Sequence, residues 1–202
     1  MSAQKQIVLA QPRDANILSH LIALAFHDLA PSVWLIPDAD ARGRLLPGYF
    51  RLLVHEAMTL GRVYTTSDHA AVALWLPAPQ DVEPEASDYD AQLAATTGIW
   101  ADRFRIFDAL LAKHHVHGTD HDHLAILAVH PEHQQQGLGS ALLAAHHARL
   151  DAEDPPRAAY LEASDATTRQ LYLRRGYSDV GDPIALPSGA CMFPMVRRPS
   201  GA

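Results

Sequence analysis

Between Leu127 and Leu143 the chain reads LAVHPEHQQQGLGSALL: an apolar run, a polar loop, then an amphipathic helix. A strand, a glycine-containing turn and a helix N-terminus in series aim successive backbone N–H groups at one point. The first helical turn adds its unsatisfied donors and the positive end of its dipole, so a phosphate fits there. Glycine at 137 and 139 lets the backbone approach such a ligand with no Cβ in the way. A nucleotide P-loop needs Lys followed by Ser or Thr after its last glycine, whereas Gly139 is followed by Ser140 and Ala141. A dinucleotide fingerprint needs a third glycine, which is missing, although Glu162 supplies a downstream acid. An ordinary strand-to-helix turn remains the plain alternative.

A second cluster invites metal chemistry. His114, His115, His117, His121 and His123 surround Gly118-Thr119-Asp120, and neutral imidazoles with Asp120 or Asp122 would suit Zn²⁺ or Ni²⁺. No HExxH pair is present, and the cluster falls where a polar connection into a strand is expected, so the expectation is no metal. His146 and His147 are expected to be solvated or packed.

The pattern LxVxPxxQxxGxGxxLL, followed by LEAS at Leu161 to Ser164 and LYxxxGY at Leu171 to Tyr177, resembles the acetyl-CoA-binding core of GNAT-type N-acetyltransferases. The pieces stand in that family's order and spacing. A closer likeness, to the puromycin N-acetyltransferase group, rests on Ala70 to Trp75, Tyr160 to Ser164, and Leu186 to Gly189 with Cys191 and Met192. The resemblance implies an α/β (α+β by layer) GNAT fold with a single mixed twisted sheet of about seven strands flanked by helices, spanning residues 1–202 as one domain. It implies acetyl-CoA as cosubstrate, with the pyrophosphate on Gln134, Gln135, Gln136, Gly137, Leu138, Gly139 and Ser140. Pantetheine would pair with the strand edge at Leu127, Ala128 and Val129. Thr168 stands where relatives often carry an asparagine that contacts pantetheine.

Acetyl transfer from a thioester to an amine requires an anchored donor, a polarised carbonyl, a neutral amine and a proton for the departing thiolate. Tyr172, matching a tyrosine with this role in many GNAT enzymes, is the expected general acid: a phenol of pKa ~10 beside a thiolate whose conjugate acid is ~8.5. Glu162 is the expected base and His123 the second candidate. The expected reaction is direct transfer to the primary amine of a small molecule, such as an aminonucleoside-like antibiotic. The alternatives are a protein or peptide acceptor, and a non-catalytic acyl-CoA sensor.

Composition limits the partners. With 16 basic and 23 acidic residues the formal charge is −7, leaving no broad basic face for nucleic acid. No apolar run approaches the ~20 residues that span a bilayer, and Met1 to Gln6 lacks a signal-peptide core. Cys191 is the single cysteine, so no internal disulfide forms and a cytoplasmic location is expected, as a monomer or homodimer.

These groups need elements to hold them. Gln6 to Ala10 reads as a first strand, and Asp14 as the N-cap of a helix to His27. Pro31 should end any continuation of that helix. A second helix should run from Pro37-Asp38 to about Leu60, with Leu45, Leu46, Tyr49, Phe50, Leu53 and Val54 inward, arginines opposite, and a break or kink at Pro47. Val63 to Thr66 and Ala71 to Leu76 form a hairpin. Pro77 to Asp88 is loop. Tyr89 to His115 reads as helix, with Trp75, Tyr89, Trp100 and Phe104 candidate walls of a substrate cleft. There follow a strand His123 to Val129, a helix Gly137 to about Asp151, a strand Ala158 to Glu162, and a helix Thr167 to Arg175 capped by Asp165. Strands near Ser178 to Leu186 and Met192 to Val196 close the chain, with Pro194 marking an edge or bulge.

Overall fold

In the computed structural model, which describes residues 6–79 and 88–199, a single mixed sheet is covered by helices on both faces. Of the stretch from Pro77 to Asp88 expected to be loop, residues 80–87 lie outside the described residues, while Pro77 and Ala78 belong to a strand, extending it two residues past Leu76. The strands are β1 (Ile7–Leu9), β2 (Arg62–Thr66), β3 (Ala71–Ala78), β4 (His121–Val129), β5 (Ala158–Ala163), β6 (Ser178–Asp179), β7 (Ile184–Ala185) and β8 (Cys191–Arg197). They lie in the order β1-β2-β3-β4-β5-β8-β6, with β7 also against β8. Among the described strands only β4 and β5 run parallel.

The helices are α1 (Ala15–Phe26), α2 (Ala30–Leu35), α3 (Ala39–Leu60), α4 (Tyr89–Thr97), α5 (Ala101–His114), α6 (Leu138–Asp151) and α7 (Ala166–Leu173). One face of the sheet buries Leu18, Ile22, Leu46, Phe50 and Phe104 from α1, α3 and α5. The other buries Leu138, Leu142, Leu143 and Tyr172 from α6 and α7. Among the described residues no helix is long and apolar enough to cross a membrane.

Several local expectations need correction. Asp14 stands at the N-cap position of α1, but its side chain makes no cap hydrogen bond there: its carboxylate accepts from the Gln11 amide (2.7 Å) in the 3₁₀ turn that leads into α1. Pro31 opens α2, where its missing N–H costs nothing. Asp38 does cap α3, accepting from the Ala41 amide at 2.6 Å. That helix passes through Pro47 without interruption. Burying Leu46, Tyr49, Phe50 and Val54 outweighs the roughly 3 kcal/mol that an internal proline costs. Not all its arginines are solvated: Arg42 is buried and donates to the carbonyls of His27 and Ile36. The expected helix from Tyr89 to His115 is split at Gly98, whose φ of +56° a helix does not allow.

Pro194 lies on no edge. Its strand, β8, pairs with β5 on one side and with β6 and β7 on the other. The Pro194 carbonyl accepts from Val180, so the missing N–H faces the same flank, in the gap where β6 has ended and β7 has not yet begun.

Candidate active site

The site exists because β4 and β5 stay paired for only three residues, His121↔Ala158, Asp122↔Ala159 and His123↔Tyr160. Beyond them β4 runs on to Val129 and β5 to Ala163 without meeting. The closed end is held by Asp122, which takes His146 Nε2 at 2.9 Å, Arg149 at 3.3 Å and Arg157 at 3.0 Å. Burial opposes the Asp122 charge, but the His146 hydrogen bond and the Arg157 charge outweigh it and hold the carboxyl below its ordinary range. His146 and His147 are thus buried rather than solvated, the latter 2.9 Å from the Tyr177 hydroxyl.

On its other side β4 pairs with β3 along its length, except at one point. Leu74 faces Ile126 and Trp75 faces Leu124, so Ala125 is an unpaired bulge. The bulge changes which residues face which way. Leu124 packs toward α6, as do Leu127 and Val129, while Ile126 and Ala128 pack toward α1 and α3.

The loop after β4 is tied back on itself. Gln134 Nε2 donates to the Val129 carbonyl (3.4 Å) and Gln136 Nε2 to that of Glu132 (3.3 Å). Gln135 and Gly137 take positive φ, +60° and +81°, curling the backbone ahead of α6. Glycine is required at 137 for this reason. A Cβ on Gly139 would meet Leu127 and Val129 at 3.6 and 3.7 Å, ordinary contact. The α6 amides at 138 to 140 have no intrahelical acceptor, and all three residues line the cleft described next.

A cleft of about 660 Å³ joins this loop to the far side of the sheet. Its walls include Leu127, Ala128, Val129, Gln134, Gln135, Gly137, Leu138, Gly139, Ser140, Glu162, Thr168 and Tyr172; of the catalytic and cofactor-binding residues expected from sequence only Gln136 is outside. Thr168 is spent locally. Its amide donates to Asp165 (2.7 Å) and its hydroxyl completes a capping box on α7, so Asp165 caps as expected. Tyr172 is buried, and burial pushes its phenol up, so it stays protonated.

Glu162 ends β5 with its side chain 6% exposed, and His123 Nε2 donates to its Oε2 at 2.9 Å. Burial disfavours the charge, but the charge and hydrogen bond of His123 prevail and the carboxyl lies below its ordinary range. The Tyr160 hydroxyl favours that charge from nearby but donates to the His114 carbonyl at 3.3 Å, leaving Oε1 buried with no donor of its own. His115 Nδ1 lies 4.0 Å from that oxygen. Burial, then the nearby His123, pushes His115 down to about 4.

The other half of the cleft is largely apolar and aromatic: Phe26, Tyr49, Phe50, Leu53, Tyr89 and Phe107, with Asp108 accepting from the Tyr89 hydroxyl at 3.0 Å. Of the four aromatics expected here only Tyr89 lines it. Trp75 faces away, stacked on His146 at 3.9 Å. Phe104 packs on Tyr49, and Trp100 lies under Arg103. Tyr49, Phe50 and Asp108 were missed. Asp108 had a signal, a carboxylate between Phe104 and Leu111 on an apolar helical stripe.

Residues 113–198 match the acetyltransferase (GNAT) domain family model. The fold matches a Corynebacterium glutamicum protein described as "histone acetyltransferase HPA2 and related acetyltransferase": 25% identity, 98% of each chain, TM-score 0.71. It also matches arylalkylamine N-acetyltransferase 2 of Aedes aegypti, at 14% identity over 95% of this chain and 97% of that one, TM-score 0.62. The polyamine N-acetyltransferase of Drosophila melanogaster matches at 14% identity, 95% and 99% coverage, TM-score 0.60. Residues 113–198 thus match a GNAT acetyltransferase domain, and with the shared fold these likenesses support an N-acetyltransferase enzyme.

Proposed function

We propose that this chain, as one acetyltransferase domain, moves the acetyl group of acetyl-CoA directly onto the primary amine of a small molecule with an apolar or aromatic body. The observation that carries this reading is one cleft whose walls include the loop ahead of α6, aromatic side chains, Glu162 and Tyr172. Backbone amides from Gln134 to Ser140 hold the pyrophosphate, and the unpaired edge of Leu127, Ala128 and Val129 takes pantetheine. A main-chain N–H there polarises the thioester oxygen.

In this mechanism Glu162, anionic and oriented by His123, takes the proton from the attacking amine. Tyr172 gives its proton to the departing thiolate. With Thr168 committed to its cap, the amides carry the anchoring that a side chain would otherwise share. Two of the structural neighbours are named for small amine acceptors, and the closer sequence likeness suggests an aminonucleoside. The name of the Corynebacterium protein favours a protein acceptor as a second reading.

Release of CoA thiol from acetyl-CoA, corrected for Cys191, decides between them. The panel is arylalkylamines, polyamines, puromycin and short lysine peptides. Turnover on a small amine is expected; turnover on peptides alone would overturn the small-molecule reading.

A further inference from the structure

Three elements meet where the parallel strands part: the end of α5 at His115, β4 at His123 and β5 at Glu162. One donor atom from each lies within 4.8 Å of the others. We propose that these three residues form a site for a divalent transition-metal ion of the Zn²⁺ class, and that an ion bound there inhibits acetyl transfer by engaging the Glu162 carboxylate.

The hydrogen bonds fix which atoms are free to ligate. His121 Nδ1 lies 2.8 Å from the Thr119 carbonyl, which only accepts, so that nitrogen carries a proton. In the neutral ring Nε2 is then a lone pair. His115 Nε2 lies 2.9 Å from it and must be the donor. The remaining lone pair of a neutral His115 is therefore on Nδ1, the atom facing Glu162 Oε1 across 4.0 Å. Two acceptors face each other there, and that oxygen is buried with no donor. A cation between them satisfies both.

The spacing suits a small ion. Bonds of 2.0–2.1 Å in a tetrahedron place ligand atoms about 3.3 Å apart. The separations of 2.9 Å for His123 Nε2 to Oε2 and 4.0 Å for His115 Nδ1 to Oε1 straddle that value. On binding, His123 carries its proton on Nδ1 and offers Nε2 to the ion. The N–H of His115 given to His121 is the outer-shell bond that orients a ligating imidazole. Two imidazoles and one carboxylate select zinc, cobalt or nickel over magnesium or calcium. Three protein ligands leave a fourth position open. Glu162 and His123 also line the cleft, so the ion and the acceptor amine would compete for one carboxylate. The inhibitory half rests on the proposed role of Glu162; the binding half does not.

The test uses Co²⁺, whose visible absorption intensifies in a site of four or five ligands. The wild-type chain should give a saturable band at one ion per chain, abolished by Zn²⁺. His115→Ala, His115→Gln and His123→Ala, each shown to be folded by circular dichroism, should lose it. His20→Ala and His55→Ala, at exposed histidines elsewhere, should keep it. No band in the wild type, or a band surviving in a folded His115 variant, overturns the site. Saturating Zn²⁺ should lower acetyl transfer by at least about tenfold, reversibly with chelator. Zinc that displaces cobalt yet leaves the rate unchanged overturns the inhibition alone. The band is read without any acceptor, so it stands or falls apart from the acetyl-transfer reading.

Discussion

His123 on β4 donates to Glu162 on β5 across the point at which the two strands cease to be a ladder. A base placed there is oriented from one strand and carried on the other. Glu162→Gln keeps the shape and an acceptor oxygen but cannot take a proton. The expected loss is about 10²-fold in kcat with the thermal midpoint little changed. Steady-state rates beside a melting curve check this, and a wild-type rate would exclude the carboxylate as base.

Tyr172→Phe removes one hydroxyl from a buried ring on the cleft wall. The expectation is a kcat at least about tenfold lower with acetyl-CoA affinity unaltered, because the donor acts on the thiolate as it forms. Binding by calorimetry and turnover on the same preparation separate the two. Equal loss in both would mean that the phenol only packs.

Gly137→Ala forces an L-residue to φ +81°, at about 1–2 kcal/mol. Nothing lies within 4 Å of the added methyl, so the cost is conformational rather than steric. The loop should relax away from its curled shape and acetyl-CoA binding should weaken several-fold. An affinity equal to wild type would show that the curl is not needed for the anion.

Gly61→Ala tests the opposite case. Its Cβ would lie 1.9 Å from the Trp75 carbonyl oxygen, so backbone must move. The variant should lose at least about 2 kcal/mol in urea unfolding. A shift within error would refute the close approach of the end of α3 to β3.

Burial, reinforced by the charge of Arg197, pushes His147 down to about 4. The unfolded chain takes up that proton near pH 6.5 and the folded one refuses it until about 4. Stability should therefore fall as pH is lowered from 6.5 to 4, by at most ~1.4 kcal/mol per pH unit for this histidine. His147→Gln should flatten that slope in urea midpoints taken across the range. An unchanged slope would assign the acid sensitivity elsewhere.

What the sequence made legible was local. The strand, loop and α6 between Leu127 and Leu143 carry their own signals in period, glycine and cap, and Tyr172 follows from spacing within one helix. Partners brought together by topology were not legible. Asp122 finds His146 only after α6 folds back, and His115 meets Glu162 from 47 positions away. Likewise β3 is an unbroken apolar run from Ala71 to Leu76, which does not say which face is the cleft, and Trp75 lies on the face opposite to the one expected.

Ala125 gives β4 two reading frames. Upstream of it, Asp122 and Leu124 address the α6 side and His123 the acceptor side; downstream the parity is exchanged. Deleting Ala125 alone would keep the ladder with β3 and leave Leu124 opposite Trp75 and Ile126 opposite Leu74, so His123 would still meet Glu162 and Asp122 would still meet His146. A second residue lost upstream would have no bulge left to absorb it and would send His123 toward α6 and Asp122 toward Glu162. The bulge is thus a reserve of one residue: β4 can shorten once without exchanging its faces.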